Sequence, residues 1–129
     1  GFYDWQAVTS DSKVRKQPWY IRPAKAGEFF AFAVLLAAWT PPGGDTIVST
    51  CIITTAANEL MAPIHDRMPV ILPAEQHDAW LDPENRDTGA LQELLQPCLA
   101  TSMNADLVSP AINRGNIEGE QCIEPVGKS

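Results

Sequence analysis

The sequence has no apolar run long enough to cross a membrane. Its longest apolar run, residues 29–39, has 11 residues, whereas a membrane-spanning helix needs about 20. The first residues after Gly1 also lack the basic start and the apolar stretch of a signal peptide. We therefore expect a soluble, cytoplasmic protein without membrane contact.

Cysteine is scarce, and the number of cysteines is odd. Cys51, Cys98 and Cys122 lie far apart in the chain, which argues against a disulfide framework and fits a reducing compartment. Cys51 lies within a β-branched run, where a free cysteine is expected to be buried and inert. A thiol hydrolase built on Cys51 and His65 is a weaker alternative, because a cysteine in mid-strand has no helix N-terminus to lower its pKa.

Two common kinds of ligand site are also missing. His65 and His77 are the two histidines, and no cysteine or acidic residue follows them at a recognised metal-ligand spacing. The segment 42–45 contains two glycines but lacks the lysine and the helix of a phosphate-binding loop. We therefore expect no metal ion and no cofactor.

Basic residues are few and unevenly distributed. Nine Lys and Arg residues stand against 16 Asp and Glu residues, and the net charge of −7 opposes general attraction to nucleic acid. Residues 1–25 nevertheless contain five basic and two acidic residues, a net charge of +3. The other four basic and 14 acidic residues give −10 to residues 26–129. Any nucleic-acid contact is therefore expected on one basic face.

The length and the order of elements predict one α+β domain. The 129 residues, 45% of them apolar and four of them Trp, are enough for an ordinary core. Strands are predicted at 19–22, 29–36, 47–54, 68–72 and 105–108, and the second of these is expected to be buried on both faces. Short helices are predicted at 55–62, begun by Thr54 or Thr55, at 73–80, and from Thr88 onward. This order favours a curved mixed β-sheet, partly open and barrel-like, with short helices.

Residues 53–70 contain the side chains that are best suited to binding and catalysis. A β-branched strand is followed by the hydroxyls of Thr54 and Thr55 and then by His65, Asp66 and Arg67. Hydroxyls and free N–H groups at the start of a turn can bind an anion, and a guanidinium forks onto phosphate oxygens. Imidazole titrates near neutral pH. The pattern predicts a site that binds a phosphate and moves a proton beside it.

Several motifs in this order resemble the SOS-response-associated peptidase (SRAP) family. They are Gly1-Phe2-Tyr3-Asp4-Trp5, Lys16-Gln17-Pro18-Trp19-Tyr20-Ile21, Phe30-Ala31-Phe32-Ala33, the block 54–69, Val108-Ser109-Pro110, Asn113 and Ile123-Glu124-Pro125-Val126. Members of this family begin with Met-Cys-Gly-Arg, and the likeness covers only the C-terminal half or so of their domain. We expect residues 1–129 to form one SRAP-like domain that lacks its N-terminal part. If that N-terminal part is a separate chain, it is expected to be a further partner.

The resemblance implies a function in the SOS response and DNA repair. Members of the family capture abasic sites in single-stranded DNA as a covalent DNA–protein crosslink. The amine and the thiol of their leading Cys condense with the sugar aldehyde into a thiazolidine, through a Schiff base. A peptidase-type hydrolysis removes the preceding Met. The chain alone lacks this nucleophile, so enzymatic activity is expected together with the missing part, on the nucleoid if the source is bacterial.

The resemblance implies catalytic roles for two residues. His65 stands where the family has a histidine beside the abasic sugar, which acts as general acid and base during ring opening and crosslink reversal. The alternative is a histidine that is hydrogen-bonded in the core. Asp4 stands where the family usually has Glu, which assists attack by the amine and the thiol. The side chain of Asp4 is one methylene shorter than that of Glu. The alternative is that Asp4 only caps or solvates the chain terminus.

Arg67 is expected to bind a DNA phosphate, with Thr54 and Thr55 as hydroxyl partners. The alternative for Arg67 is an internal salt bridge to Asp66 or Glu59.

One tryptophan is expected to contact DNA, and two others are expected to lie in the core. Trp5 is expected to stack on an unpaired base, because aromatic faces bind single strands with little sequence preference. Trp39 and Trp80 are expected in the core. The alternative function for the whole chain is that of a degenerate, non-catalytic remnant that binds single strands or folds only against a partner.

Overall fold

The computed structural model, which describes residues 1–127, begins with a long antiparallel hairpin. Its strands are β1 (Phe2–Ser10) and β2 (Lys13–Pro23), and β7 (Met103–Leu107) pairs with the other edge of β2. Both pairings are antiparallel. Asp11 and Ser12 form the two-residue turn with φ angles of 51° and 62°, the sign that a tight hairpin turn requires. Four of the five basic residues of the segment 1–25 lie in β2.

Two further antiparallel hairpins follow. The first pairs β3 (Val34–Trp39) with β4 (Ile47–Ile52), and the second pairs β5 (Thr54–Ala56) with β6 (Arg67–Pro69). A ring of three backbone hydrogen bonds, each 2.9 Å long, joins them. Ile53 N donates to Ala33 O, Ala33 N to Val70 O, and Val70 N to Ile53 O. The base of the β3–β4 hairpin is thereby fixed to the strand that follows His65.

The helices are short and confirm the two predicted C-terminal ones. They are α1 (His77–Leu81), which follows the 3-10 turn Ala74–Gln76, and α2 (Thr88–Glu93), with further 3-10 turns at Ala100–Ser102, Pro110–Arg114 and Glu120–Cys122. The cap of α2 is Asp87 rather than Thr88, because Asp87 Oδ1 accepts from Ala90 N at 3.0 Å. Among residues 1–127, no helix has the length and apolar character to span a membrane.

The core lies between the three-stranded sheet and the segment that leads to His65. Its largest cluster consists of Ile21, Met61, Ile64, Met68, Ile71 and Met103. All three methionines of the chain are in this cluster, where their flexible side chains fill irregular gaps. A smaller cluster contains Ala33, Val70 and Leu72. Several antiparallel sheets with short helices confirm the predicted α+β class, and residues 1–127 form no closed barrel.

The predicted helix at 55–62 is wrong. Residues 54–56 form β5, and residues 59–64 form a turn. The reason is Asn58, whose Oδ1 accepts hydrogen bonds from Leu60 N at 3.1 Å and Met61 N at 3.0 Å. Asparagine side chains compete in this way with the helical backbone pattern. The preceding β-branched residues instead pair with β6.

The expectation of burial for the apolar strand 29–36 is also wrong. The regular strand begins only at Val34, and all residues of β3 and β4 are exposed. Phe29 is 94% exposed and Trp39 is 62% exposed, so Trp39 is not in the core. Cys51, which was expected to be buried, is exposed in β4. The physical reason is that no other sheet among the described residues pairs with the β3–β4 hairpin.

Candidate functional site

Asn58 positions His65 through the turn between them. Asn58 is only 7% exposed, and it accepts from Leu60 N and Met61 N while its Nδ2 donates to Cys98 O at 3.0 Å. His65 N then donates to Met61 O at 2.9 Å. The backbone at His65 is therefore tied to the methionine-rich core, although its side chain points outward.

The imidazole of His65 has two alternative partners on the same nitrogen. Its Nδ1 accepts from Arg67 N at 3.1 Å and lies 3.1 Å from Asp66 Oδ1. An accepting Nδ1 places the proton of the neutral ring on Nε2, whereas a protonated Nδ1 can donate to Asp66. The side chain is 47% exposed, which does not fit the alternative of a core histidine. Both protonation states of the ring therefore have a partner.

A surface depression brings His65 together with two other residues that the sequence singled out. It has a volume of about 590 Å³ and is lined by Asp4, Trp5, Lys16, His65, Ile112, Asn113 and Gly115. Asn113 holds one side of it, since Oδ1 accepts from Trp5 Nε1 at 2.7 Å and Nδ2 donates to Lys16 O at 3.0 Å. The indole N–H is thus satisfied internally, and Lys16 adds a positive charge.

Asp4 is oriented by its own neighbour in β1. Its Oδ1 accepts from Trp5 N at 2.8 Å, and its other carboxylate oxygen has no hydrogen bond from residues 1–127. The carboxylate is partly exposed and lines the same depression as His65. It can therefore accept a proton from a group that enters the depression.

Arg67 is held by Thr54 on the adjacent strand. Nε donates to Thr54 Oγ1 at 3.0 Å, and Nη2 lies 2.9 Å from Thr54 Oγ1 and 2.6 Å from Thr54 O. Nη1 has no partner within the described part of the chain, where Arg67 also forms no ion pair with Asp66 or Glu59. The geometry thus leaves one edge of an exposed guanidinium available to an anion.

Thr55 does not contact Arg67. It pairs with Met68, and neighbouring residues of a strand point to opposite faces, so Thr55 and Thr54 point in opposite directions. Arg67, Thr54 and Thr55 also lie outside the lining of the depression. The link to His65 is the backbone N–H of Arg67.

Sequence reasoning missed the structural roles of Asn58 and Asn113. A signal existed for Asn58, since asparagine often begins a turn, here five residues before Pro63. Asn113 is 108 residues from its partner Trp5, a distance that no local pattern spans.

A second cavity, of about 660 Å³, contains none of the predicted site residues. Its lining includes Phe30, His77, Leu94 and Cys98. His77 Nε2 lies 3.0 Å from Leu72 O, and burial raises the pKa of the Cys98 thiol. Cys98 therefore stays protonated and unreactive near neutral pH. Between Gly1 and Gly127, no three His, Cys, Asp or Glu side chains form a group that could hold a metal ion.

Comparisons with known proteins show what this chain is similar to. The abasic site processing protein YoqW of Bacillus subtilis is 42% identical over 123 residues, which are 95% of this chain and 53% of YoqW. The abasic site processing protein HMCES of Xenopus tropicalis is 30% identical over 144 residues, covering 98% of this chain and 41% of HMCES. A crystal structure of a Bacteroides thetaiotaomicron protein is 25% identical with a TM-score of 0.84, covering 97% of this chain and 53% of that one. The chain thus spans about half the length of these relatives.

The model of the SOS response associated peptidase family matches residues 1–115, a range that includes β1 to β7, His65, Asp4 and Asn113. This match covers far more than half of the chain, and we conclude that the chain belongs to the SRAP family.

Proposed function

We propose that this chain forms the part of an SRAP protein that recognises an abasic site in single-stranded DNA and transfers protons at the captured sugar. The observation that carries the proposal is the exposed imidazole of His65, which shares a depression with Asp4 and Trp5 and has a partner for each protonation state. The relatives are named as abasic site processing proteins. The proposal places the protein in the cytoplasm, and on the nucleoid if the source is bacterial.

The proposed chemistry needs an amine and a thiol from an N-terminal Cys outside this chain, supplied in the same polypeptide or by a separate one. The amine adds to the aldehyde carbon of the opened sugar, and loss of one water gives a Schiff base. The thiol sulfur then adds to the carbon of that C=N bond, its proton passes to the nitrogen, and a thiazolidine ring closes. A peptidase-type removal of the preceding Met would expose this Cys.

In this scheme His65 and Asp4 move the protons. The imidazolium gives its Nε2 proton to the sugar ring oxygen as the ring opens and the anomeric hydroxyl releases its proton to water, and the neutral ring takes the proton back on reversal. The free oxygen of Asp4 accepts a proton from the attacking ammonium, which makes the amine nucleophilic. Nδ1 faces Arg67 N in the neutral ring and Asp66 in the protonated ring, so Nε2 is the nitrogen left to exchange the proton.

DNA contact is proposed for a small basic surface. Arg67 presents Nη1 to a phosphate while Thr54 fixes the rest of its guanidinium. Lys16 lies on the depression itself, and Trp5 offers an aromatic face whose edge is held by Asn113. Residues 26–129 carry a net charge of −10, so phosphate contact is proposed for these few basic side chains.

The function is tested by crosslinking to DNA. A chimera joins the part of YoqW that precedes its matched region to Gly1, and it is mixed with a single-stranded oligonucleotide that bears one abasic site. We expect a product that survives a denaturing gel and disappears when the leading Cys is changed to Ala. An oligonucleotide with a tetrahydrofuran residue, which has no aldehyde, is the matched control. A chimera that folds and gives no such product would show the proposed function to be wrong.

Arg67→Lys is expected to weaken non-covalent binding of a single-stranded oligonucleotide about tenfold, roughly 1.4 kcal/mol, because lysine cannot fork onto a phosphate while bonded to Thr54. Fluorescence anisotropy with a labelled oligonucleotide measures the affinity. Arg86→Lys is the matched control, since Arg86 is exposed and lies outside the site. Equal effects of the two substitutions would contradict a specific phosphate contact at Arg67.

Non-catalytic binding of single strands is the second candidate function. This candidate is favoured by the shorter side chain of Asp4, because one of its two carboxylate oxygens already accepts a hydrogen bond from Trp5 N. In the same chimera, affinity for the oligonucleotide without any covalent product would support this second candidate.

A further inference from the structure

The carboxamide of Gln6 joins the N-terminal hairpin to the turn that ends at His65. Its Nε2 donates to Pro63 O at 2.8 Å, and its Oε1 accepts from Trp19 Nε1 at 3.1 Å. Because an indole N–H needs an acceptor and a carbonyl needs a donor, the two partners fix which end of the carboxamide faces each of them. Gln6 is half-buried and lies outside the lining of the depression. It therefore cannot act on a bound sugar directly.

The bond to Pro63 connects two parts of the molecule that otherwise meet only through packing. Within residues 1–127, no other hydrogen bond joins the β1–β2 hairpin to residues 53–70. The core contacts across this boundary are apolar, such as those of Ile21 in the cluster with Met61 and Ile64. Apolar packing has no preferred direction. The position of the turn along the hairpin therefore depends on the hydrogen bond from Gln6.

The two ends of this hydrogen bond lie close in sequence to the residues with proposed proton-transfer roles. Gln6 follows Asp4 by two positions in β1, so their side chains lie on the same face of the strand. Pro63 precedes His65 by two positions. A shift of the turn relative to β1 therefore changes the separation of His65 from Asp4. A misplacement of about 1 Å between reacting groups can slow a reaction roughly 10²-fold.

We propose that Gln6 is a positioning residue that holds His65 at the working distance from Asp4 during formation and reversal of the crosslink. This role rests on the proposed function, since it concerns the same site. Gln6 acts on His65 through the Pro63 carbonyl, and the bond from Trp19 keeps Nε2 of the carboxamide directed at that carbonyl.

Reversal of the crosslink in the YoqW chimera measures this role. Gln6→Leu removes both hydrogen bonds at similar volume and should slow reversal roughly tenfold, while affinity for the tetrahydrofuran oligonucleotide stays unchanged. Gln17→Leu is the matched control, because Gln17 pairs with Gln6 across the hairpin and its Nε2 donates to Pro18 O and Val108 O, both at 3.0 Å. This control should reverse at the wild-type rate. Equal slowing by the two substitutions would overturn the role of Gln6.

Two charged variants separate the two hydrogen bonds of Gln6. Gln6→Lys can donate to Pro63 O but cannot accept from Trp19, whereas Gln6→Glu can accept from Trp19 but cannot donate to Pro63 O near neutral pH. We expect reversal in Gln6→Lys to be closer to the wild-type rate and reversal in Gln6→Glu to be as slow as in Gln6→Leu. A Gln6→Glu variant that reverses at the wild-type rate would overturn the link through Pro63.

A double variant tests whether Gln6 acts through His65. In a His65→Ala background, Gln6→Leu should slow reversal no further, because the group that it positions is already absent. A further tenfold loss in the double variant would overturn the proposed link between the two residues.

Nuclear magnetic resonance of the chain of residues 1–129 tests the geometry without DNA. The chain has two histidines, whose ring signals are assigned with His77→Ala. Gln6→Leu should shift the signal of His65 alone, and Gln17→Leu should shift neither. An unmoved His65 signal in Gln6→Leu would overturn the positioning role, even where the wild-type chimera forms its crosslink. A shifted His65 signal, together with a folded chimera that forms no crosslink, would overturn the proposed function and leave the placement of His65 by Gln6 standing.

Discussion

Replacing His65 by alanine is expected to slow reversal of the abasic-site crosslink by roughly 10²-fold or more, the range of general acid–base catalysis. Affinity for the oligonucleotide should change much less, because in the proposed function the imidazole acts on the sugar while Arg67 and Trp5 bind the strand. The rate is measured in the chimera with a labelled crosslink, which is chased with excess unlabelled abasic oligonucleotide and followed on denaturing gels.

Two control variants separate chemistry from structure at this position. His65→Gln can still accept from Arg67 N through its side-chain carbonyl but cannot transfer a proton near neutral pH, so it should be as slow as His65→Ala. His77→Ala removes the other histidine, which lies in the second cavity against Leu72 O, and should leave reversal unchanged. Equal losses of rate and affinity in His65→Ala would identify His65 as a structural residue.

The regular elements that the sequence predicted are those with strong local signals. The β-branched run at 47–54 became β4 and β5, and the prediction near 105–108 became β7. The helix predicted at 73–80 corresponds to the turn at 74–76 and α1, since Pro73 and the Asp82-Pro83 pair mark its two ends. In these segments the local preference and the tertiary contacts agree.

Two errors have one cause, which is that tertiary partners decide what a local pattern permits. Residues 55–62 could have formed a helix, but pairing of β5 with β6 and the side chain of Asn58 fixed a strand and a turn instead. The apolar pattern of 29–36 overlaps the start of β3 and is suited to burial on both faces. It cannot indicate whether anything in the described part of the chain covers those faces.

The candidate site was predictable in part. His65, Asp66 and Arg67 are adjacent in sequence, and the chemistry of their side chains points to a site without any structure. Asp4 and Trp5 line the same depression as His65, although about sixty residues separate them in sequence. From the sequence, only the family resemblance indicated that they belong to one site. Pairing of Trp5 with Asn113 is a contact between segments that are distant in sequence, which no periodicity encodes.

Asn58→Ala is expected to lower the free energy of unfolding by about 2–4 kcal/mol, because it leaves the buried N–H of Met61, the partly buried N–H of Leu60 and the partly buried Cys98 carbonyl without their partner. The buried side chain of Asn58 makes all three of these hydrogen bonds, and no water can easily replace them in a methionine-lined core. Urea unfolding, monitored by tryptophan fluorescence, measures this change. The slope of the unfolding free energy against urea concentration should be the same in both proteins.

Asn113→Ala is the matched control, since it also removes two side-chain hydrogen bonds. These bonds are exposed, so water can replace them, and the expected loss is below about 1 kcal/mol. Similar losses in the two variants would show that Asn58 does not anchor the turn. Asn58 also lies outside the depression, so it cannot touch the sugar. Any slower crosslinking by the folded fraction of Asn58→Ala must therefore arise from displacement of the turn that ends at His65.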